Sequence, residues 1–235
     1  MTIERVQQFL KNATFLGCLS DAALTELVRT GSTRVYVKDE AICARGDAGQ
    51  SAMVILSGRL KVSNINADGR EITLNYLGVG DLVGEIALLD GRERTANVTA
   101  LETSELFILQ RRDLLPALRA NPEAMLEMMG VLCDKLRRTT AMLEDSLQEM
   151  PARVARGLLR LAEQHGVRQN SQISIELRLS QAELGTYVGL SRPNVSRQLK
   201  EFRDAHIITT SGRTIVILNE AQLRQIAVGV IVPVG

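Results

Sequence analysis

The spacing of apolar residues changes period twice along the chain, and the changes divide it into three parts. Over residues 1–19 the apolar positions Val6, Phe9 and Leu10 recur at helical intervals, which predicts an amphipathic helix. Ser20 is placed to cap a second short helix running to Val28, because a serine oxygen there accepts from an N–H of the first turn that has no helical partner. From Thr33 to Leu109 the pattern becomes short apolar runs at 35–37, 53–56, 60–62, 72–76, 98–100 and 106–109. Between them lie Arg45-Gly46-Asp47, Ser57-Gly58, Asp68-Gly69, Gly78-Val79-Gly80-Asp81 and Asp90-Gly91. Many short strands between turn signals predict a small barrel or jelly roll, with Asp68-Gly69 as its strongest hairpin signal.

Helical spacing returns at Arg111. A long helix is predicted from Asn121-Pro122 to about Leu147, with Asn121 as N-cap, Pro122 at the first helical position and Glu123 favouring the helix dipole. Counted by sevens, Met125, Leu132, Thr139 and Ser146 fall on one line of this helix, and Met129, Leu136, Leu143 and Met150 on its partner. Two such lines form the seam of a two-stranded coiled coil, so the helix is expected to dimerise. Pro151 marks a hinge, and residues 152–164 read as an amphipathic helix with Val154, Leu158, Leu159 and Leu161 inward.

Residues 180–202 read SQAELGTYVGLSRPNVSRQLKEF. Ser180 with Glu183 is a capping-box pattern, and Ala182, Leu184 and Val188 are expected on the apolar face of the helix it starts. Gly189 allows a sharp turn at the helix end. Ser191 then caps a second helix with Pro193 in its first turn and Val195 and Leu199 inward. Two short helices joined by a glycine turn make a helix-turn-helix. Arg192, Asn194, Ser196, Arg197 and Lys200 are left for the outer face and N-terminal end of the second helix, with Ser180 and Gln181 at the start of the first. Arginine pairs bidentately with guanine and asparagine with adenine, whereas serine and lysine suit phosphates. The apolar runs at 207–208 and 214–218, joined through Ser211-Gly212-Arg213, add a hairpin in the position of a wing.

Charge supports this assignment. Residues 1–150 carry 17 Lys/Arg against 21 Asp/Glu (−4) and residues 151–235 carry 11 against 6 (+5), which together give the net +1 of the chain. A basic C-terminal third suits nucleic acid. The chain is 235 residues long and 45% hydrophobic, enough for one large or two small domains. It has no apolar run of membrane-spanning length, and its first ten residues lack a signal-peptide core, so a cytoplasmic protein without a membrane partner is expected. Cys18, Cys43 and Cys133 are widely separated, as are His165 and His206. They offer no metal-ligand spacing and no nucleophile–base pair, so neither a metal nor an enzyme is expected.

The most informative segment is GEIALLDGRERTA at 84–96. Gly84 and Glu85 stand at one end and Arg94, Thr95 and Ala96 at the other. Between them Ile86, Ala87, Leu88 and Leu89 make one apolar helical turn that Asp90-Gly91 can end. A guanidinium and a hydroxyl suit a phosphate, a carboxylate suits a ribose hydroxyl, and backbone N–H groups at a glycine-bearing helix start add anion donors. The segment reads as a cyclic-nucleotide phosphate cassette.

These motifs resemble the CRP/FNR superfamily of bacterial transcription regulators, on its cyclic-AMP receptor side. The resemblance spans nearly the whole chain: the glycine-punctuated strands, the cassette, the long helix and LSRPNVSR at 190–197. It implies an α+β fold: a cyclic-nucleotide-binding β-roll (jelly roll) over 1–120, a dimerisation helix and hinge over 121–150, and a winged helix-turn-helix over 151–235. It further implies a homodimer that binds a two-fold symmetric promoter site in double-stranded DNA when cyclic AMP is bound, and that contacts RNA polymerase. By resemblance Gly84 and Glu85 face the ribose and Arg94 and Thr95 bind the cyclic phosphate. Thr139 and Thr140 meet the base, the first in its own subunit and the second across the dimer, while Arg192 and Arg197 read bases. Pro193 departs from the enteric pattern, where a glutamate accepts from cytosine N4. Thr95 stands where serine is common, which leaves cyclic GMP open beside cyclic AMP. No haem is expected, since neither histidine lies in the sensor region, and an iron–sulfur cluster would need more N-terminal cysteines than Cys18. A nucleotide-binding regulatory subunit would explain the cassette alone, and a ligand-independent DNA-binding protein the helix-turn-helix alone.

Overall fold

The computed structural model describes residues 3–13 and 15–229; Val230–Gly235 of the apolar tail singled out in the sequence lie outside the described residues. The chain divides into two compact units, Met1–Arg137 and Arg138–Gly235.

In the first unit, α1 (Ile3–Ala13), a 3-10 turn (Phe15–Cys18) and α2 (Asp21–Thr30) precede the strands. The Ser20 hydroxyl accepts from the Ala23 N–H at 3.3 Å, so the predicted cap is present. The strands are β1 (Ser32–Tyr36), β2 (Ala41–Cys43), β3 (Ser51–Ser57), β4 (Leu60–Ile65), β5 (Glu71–Leu77), β6 (Leu82–Val83), then β7 (Asn97–Ala100) and β8 (Ser104–Gln110); α3 (Glu85–Asp90) lies between β6 and β7. They form two antiparallel four-stranded sheets, ordered β1-β8-β3-β6 and β2-β7-β4-β5. The two very short strands, β2 and β6, carried no readable alternation in the sequence.

Side chains alternate across a strand, and β3 shows why this roll has two cores. Its residues Met53 and Ile55 join Tyr36, Leu60, Val98 and Leu106 in one cluster, contributed by both sheets. Ala52, Val54 and Leu56 face the other way, into a second cluster with Leu10, Leu24, Leu27, Phe107, Leu114 and Leu118. Helices α1, α2 and α4 (Arg111–Arg119) therefore cover the outer face of one sheet. The long helix α5 (Pro122–Ser146) starts on the same cluster through Ala124 and Met128, both fully buried. The Asn121 amide donates back to the Ala117 carbonyl at 2.7 Å, tying the α5 start to α4 rather than serving only as a cap.

The two predicted lines of the seam differ in burial. Met125 is half-buried against its own core, because Ala124 and Met128 fix which side of the helix faces inward. The exposed apolar residues are Leu126, Met129, Leu136 and Leu143, with Leu147 just past the helix end. Cys133 and Thr140 are also exposed, and fall between them at heptad spacing. Of the predicted line 129/136/143/150 the first three are exposed, while Met150 is half-buried and belongs to the next helix. Of the line 125/132/139/146, Met125 and Leu132 are half-buried and Thr139 and Ser146 exposed, so its apolar members are turned partly inward.

The second unit holds the end of α5, α6 (Met150–His165), β9 (Gly166–Gln169), β10 (Gln172–Ile175), α7 (Gln181–Val188), α8 (Arg192–Asp204), β11 (Ile208–Ser211), β12 (Thr214–Ile217) and α9 (Glu220–Ala227). Its sheet, β11-β12-β10-β9, extends the predicted hairpin by two strands. Val154, Leu158, Leu159 and Leu161 of α6 are buried as expected. No described helix is long and apolar enough to cross a membrane.

Candidate functional site

The cassette folds back on itself. Gly84 adopts a left-handed conformation (φ 85°) at the N-cap of α3, and Gly91 ends that helix in another (φ 74°). Glycine is required at 84 for a second reason: a Cβ there would lie 2.2 Å from an Arg94 guanidinium nitrogen. That guanidinium spans the two ends of the cassette. Its Nη1 donates to the Gly84 carbonyl at 3.0 Å and the Ser51 carbonyl at 2.7 Å, and its Nη2 to the Ser51 hydroxyl at 2.9 Å. Three of the five guanidinium N–H donors are thereby used in holding the group, which is only 7% exposed. Thr95 is exposed beside it, and Ala96 is buried. Ala87 is buried, whereas Ile86 is 39% exposed on the first turn of α3.

Glu85 is 2% exposed. One carboxylate oxygen pairs with the Lys135 ammonium of α5 at 2.7 Å, and the same ammonium donates to the Leu82 carbonyl at 3.1 Å. The other oxygen, Oε2, is buried with no hydrogen-bond partner. A buried carboxylate oxygen without a donor is costly, so this atom is a ready acceptor for a hydroxyl. The site thus presents a fixed positive group and an unsatisfied negative one, joined through Gly84. Next to it, burial pushes the Cys43 thiol above its ordinary pKa, against the opposing charge of Arg94.

Lys135 and Ser51 are site residues that sequence reasoning missed. Lys135 had a signal: it lies four residues before Thr139, on the same face of the helix. Ser51 had none, since it meets Arg94 across 43 residues of chain. Helical spacing puts Thr139 on the Lys135 line and Thr140 on the exposed line of Leu126 and Cys133. Both threonines are exposed and belong to the second unit.

The helix-turn-helix is built as its sequence predicts, with two corrections. Both arms of the Ser180–Glu183 capping box are present, and Gly189 ends α7 at φ 67°. Ala182, expected on the apolar face, is exposed; the face is Leu184, Tyr187 and Val188. Ser191 occupies the N-cap of α8, but its side chain makes no cap hydrogen bond, which leaves the hydroxyl for another partner. Ser180 has its oxygen engaged by the Glu183 N–H at 3.2 Å, and Gln181 is half-buried. On α8, Arg192, Pro193, Arg197 and Lys200 are exposed, and Asn194 and Ser196 are half-buried. Arg197 lies 3.7 Å from the Met150 sulfur. Gln198, not singled out in the sequence, is buried, as are Val195, Leu199 and Phe202 of the same helix. Arg213 is exposed in the β11–β12 turn. Among the described residues no cluster of His, Cys, Asp or Glu could hold a metal ion.

Residues 33–121 match the cyclic nucleotide-binding domain family, and residues 152–226 the Crp-like helix-turn-helix domain family. The chain is 33% identical over 197 residues to the cyclic AMP receptor protein of Thermus thermophilus, covering 83% of this chain and 88% of that one. It is 27% identical over 219 residues to a CRP-like cAMP-activated global transcriptional regulator of Mycobacterium tuberculosis, covering 93% and 98% respectively. Among solved structures, FixK2 from Bradyrhizobium japonicum superimposes with a TM-score of 0.74 at 22% identity, over 83% of this chain and 96% of that one, a likeness of fold. A nucleotide cassette with a bridging arginine and a winged helix-turn-helix on one chain are what this comparison joins: the chain belongs to the CRP/FNR family of cyclic-nucleotide-binding transcription regulators.

Proposed function

We propose that the chain is a homodimeric regulator in which cyclic AMP, bound at the cassette, promotes binding to a two-fold symmetric promoter site. The observation that carries this reading is that the Gly84 carbonyl, bonded by the bridging Arg94 guanidinium, and the unsatisfied Oε2 of Glu85 belong to adjacent residues of the cassette. Glu85 accepts from the ribose 2′-hydroxyl. Arg94 and Thr95 take the cyclic phosphate, with the backbone N–H groups of Ile86, Ala87 and Ala96 as further contacts. Lys135 holds the Glu85 carboxylate in place through their 2.7 Å contact. Thr139 meets the base in its own subunit and Thr140, on the exposed line of α5, meets the base held by the partner.

Dimerisation through α5 buries the exposed stripe from Leu126 to Leu147. It sets two recognition helices about 34 Å apart on successive major grooves. Arg192 and Arg197 then read base edges with Asn194, while Ser180, Gln181, Ser191, Ser196, Lys200 and Arg213 contact backbone. The Pro193 side chain offers no acceptor for cytosine N4, so the glutamate contact of the enteric pattern is not made at that base pair. The DNA-bound dimer contacts RNA polymerase in the cytoplasm.

A DNA mobility shift run without ligand, with cyclic AMP and with cyclic GMP tests the reading. Cyclic AMP is expected to tighten binding to duplexes that the protein selects from a random pool. Binding that is equally tight in all three lanes overturns it in favour of a ligand-independent regulator. Nucleotide binding without DNA binding in any lane points to a regulatory subunit.

A further inference from the structure

The second unit contains a buried charge cluster that neither the nucleotide site nor the DNA-reading face uses. Asp145 lies in the last turn of α5 and is 6% exposed. One of its oxygens accepts from Arg156 at 3.1 Å and the other from Arg160. Both arginines stand on α6, and each has a second partner. Arg156 donates through Nε to the Ala227 carbonyl at the end of α9, at 2.6 Å. The Arg160 guanidinium lies over the Tyr187 ring of α7, 5.5 Å from its centre. One turn earlier on α6, Arg153 donates to the Val188 carbonyl at 2.9 Å and the Gly189 carbonyl at 2.8 Å. These are the carbonyls at the turn of the helix-turn-helix. Arg153, Arg156 and Arg160 thus connect the end of α5, the end of α7 and the end of α9 along one face of α6.

Buried ion pairs contribute little net stability compared with apolar side chains of similar size, and their better-attested use is to fix one arrangement among several. The arrangement at stake here is local. The link between α5 and α6, residues 147–149, is short: Leu147 is 83% exposed, and its backbone bonds are local, from Leu147 to Glu144, from Gln148 to Asp145 and from Arg153 to Glu149. The Asp145 side chain closes this link with two charge-assisted contacts. The compact unit that holds the helix-turn-helix accordingly begins at Arg138, inside α5.

We propose that Asp145 is a positioning residue whose clamp on Arg156 and Arg160 fuses the last turn of α5 to the DNA-binding unit, so that a movement of α5 reaches α7 and α8 instead of being lost in the 147–149 link. The proposal rests on the nucleotide-responsive reading. It assigns Asp145 no contact with nucleotide or DNA, which separates it from the residues of both sites.

The test compares full-length wild type with Asp145→Asn and Asp145→Glu. Calorimetry reads cyclic AMP affinity, and fluorescence anisotropy on a duplex selected by the wild type reads DNA affinity with and without saturating cyclic AMP. Asp145→Asn is expected to keep its nucleotide affinity within about twofold while its nucleotide stimulation of DNA binding falls by about tenfold, within the range of ordinary allosteric couplings. Asp145→Glu, which keeps the charge, retains most of the stimulation. An unchanged stimulation ratio in Asp145→Asn overturns the proposal. Should that variant not fold, hydrogen exchange of wild type against Arg160→Lys, both without nucleotide, gives the answer. Faster exchange over residues 141–148 with unchanged exchange over 85–100 supports the clamp, and equal exchange over 141–148 overturns it. A wild type that responds to neither cyclic AMP nor cyclic GMP defeats the functional reading, while the exchange comparison still decides the clamp.

Discussion

Arg94 does two things at once: it holds the cassette closed through Ser51 and Gly84, and it keeps donors for an anion. Arg94→Ala removes charge-assisted bonds of roughly 1.5–3 kcal/mol, so cyclic AMP binding measured by calorimetry is expected to weaken by about 10- to 150-fold. Unchanged affinity moves the site elsewhere. On the recognition helix the two kinds of cation are expected to separate by what they read. Arg197→Ala is expected to relax base preference in a binding-site selection, whereas Lys200→Ala weakens all sequences alike and lowers the salt slope by about one phosphate contact. Identical effects defeat the division of roles. These residues could be singled out in the sequence because each sits within a few positions of its motif. Ser51 could not, because its partner lies 43 residues away and nothing local marks it. Lys135 was marked only by its helical spacing to Thr139, while its partners Leu82 and Glu85 are remote in sequence.

Among the elements, α5 carries the sharpest prediction. Its exposed residues Leu126, Met129, Leu136 and Leu143 are too many large apolar side chains at one spacing for a solvated face. Burying each contributes about 1.5–3 kcal/mol, and a carboxylate in their midst reverses that gain. Leu136→Asp is expected to convert the dimer to a monomer in sedimentation velocity with the fold retained, and a variant that stays dimeric places the interface elsewhere. Cys133 reports the same contact, with Cys18 and Cys43 as references. Iodoacetamide at neutral pH should modify exposed Cys18 quickly and Cys43 slowly, since burial raises the Cys43 pKa and thins its thiolate. Cys133, exposed on the free chain, should be protected in the dimer and become reactive in Leu136→Asp, as read by peptide mass spectrometry. Equal Cys133 labelling in both proteins argues against this seam. The heptad pattern announced the helix. It did not say which of two adjacent apolar positions, 125 or 126, its own domain claims, because periodicity alone does not fix which side of a helix is buried.

For the whole molecule, the two sites are connected by thermodynamic reciprocity. If cyclic AMP tightens DNA binding by some factor, DNA must tighten cyclic AMP binding by the same factor. Calorimetry with and without the selected duplex is expected to show that gain, and equal affinities remove the coupling. The sequence by itself determined the switches of period, the caps at Ser20 and Ser180, the Asp68-Gly69 hairpin, the nucleotide cassette and the helix-turn-helix. Each depends on residues close together in the chain, where backbone geometry converts spacing directly into a shared face or a capped end. Tertiary structure alone decided which side of α5 stays free, that Lys135 rather than solvent faces Glu85, that Ser51 orients Arg94, and that Asp145 joins the end of α5 to α6. Those outcomes depend on which distant groups burial brings together, and a buried charge takes whatever partner the packed fold places within reach.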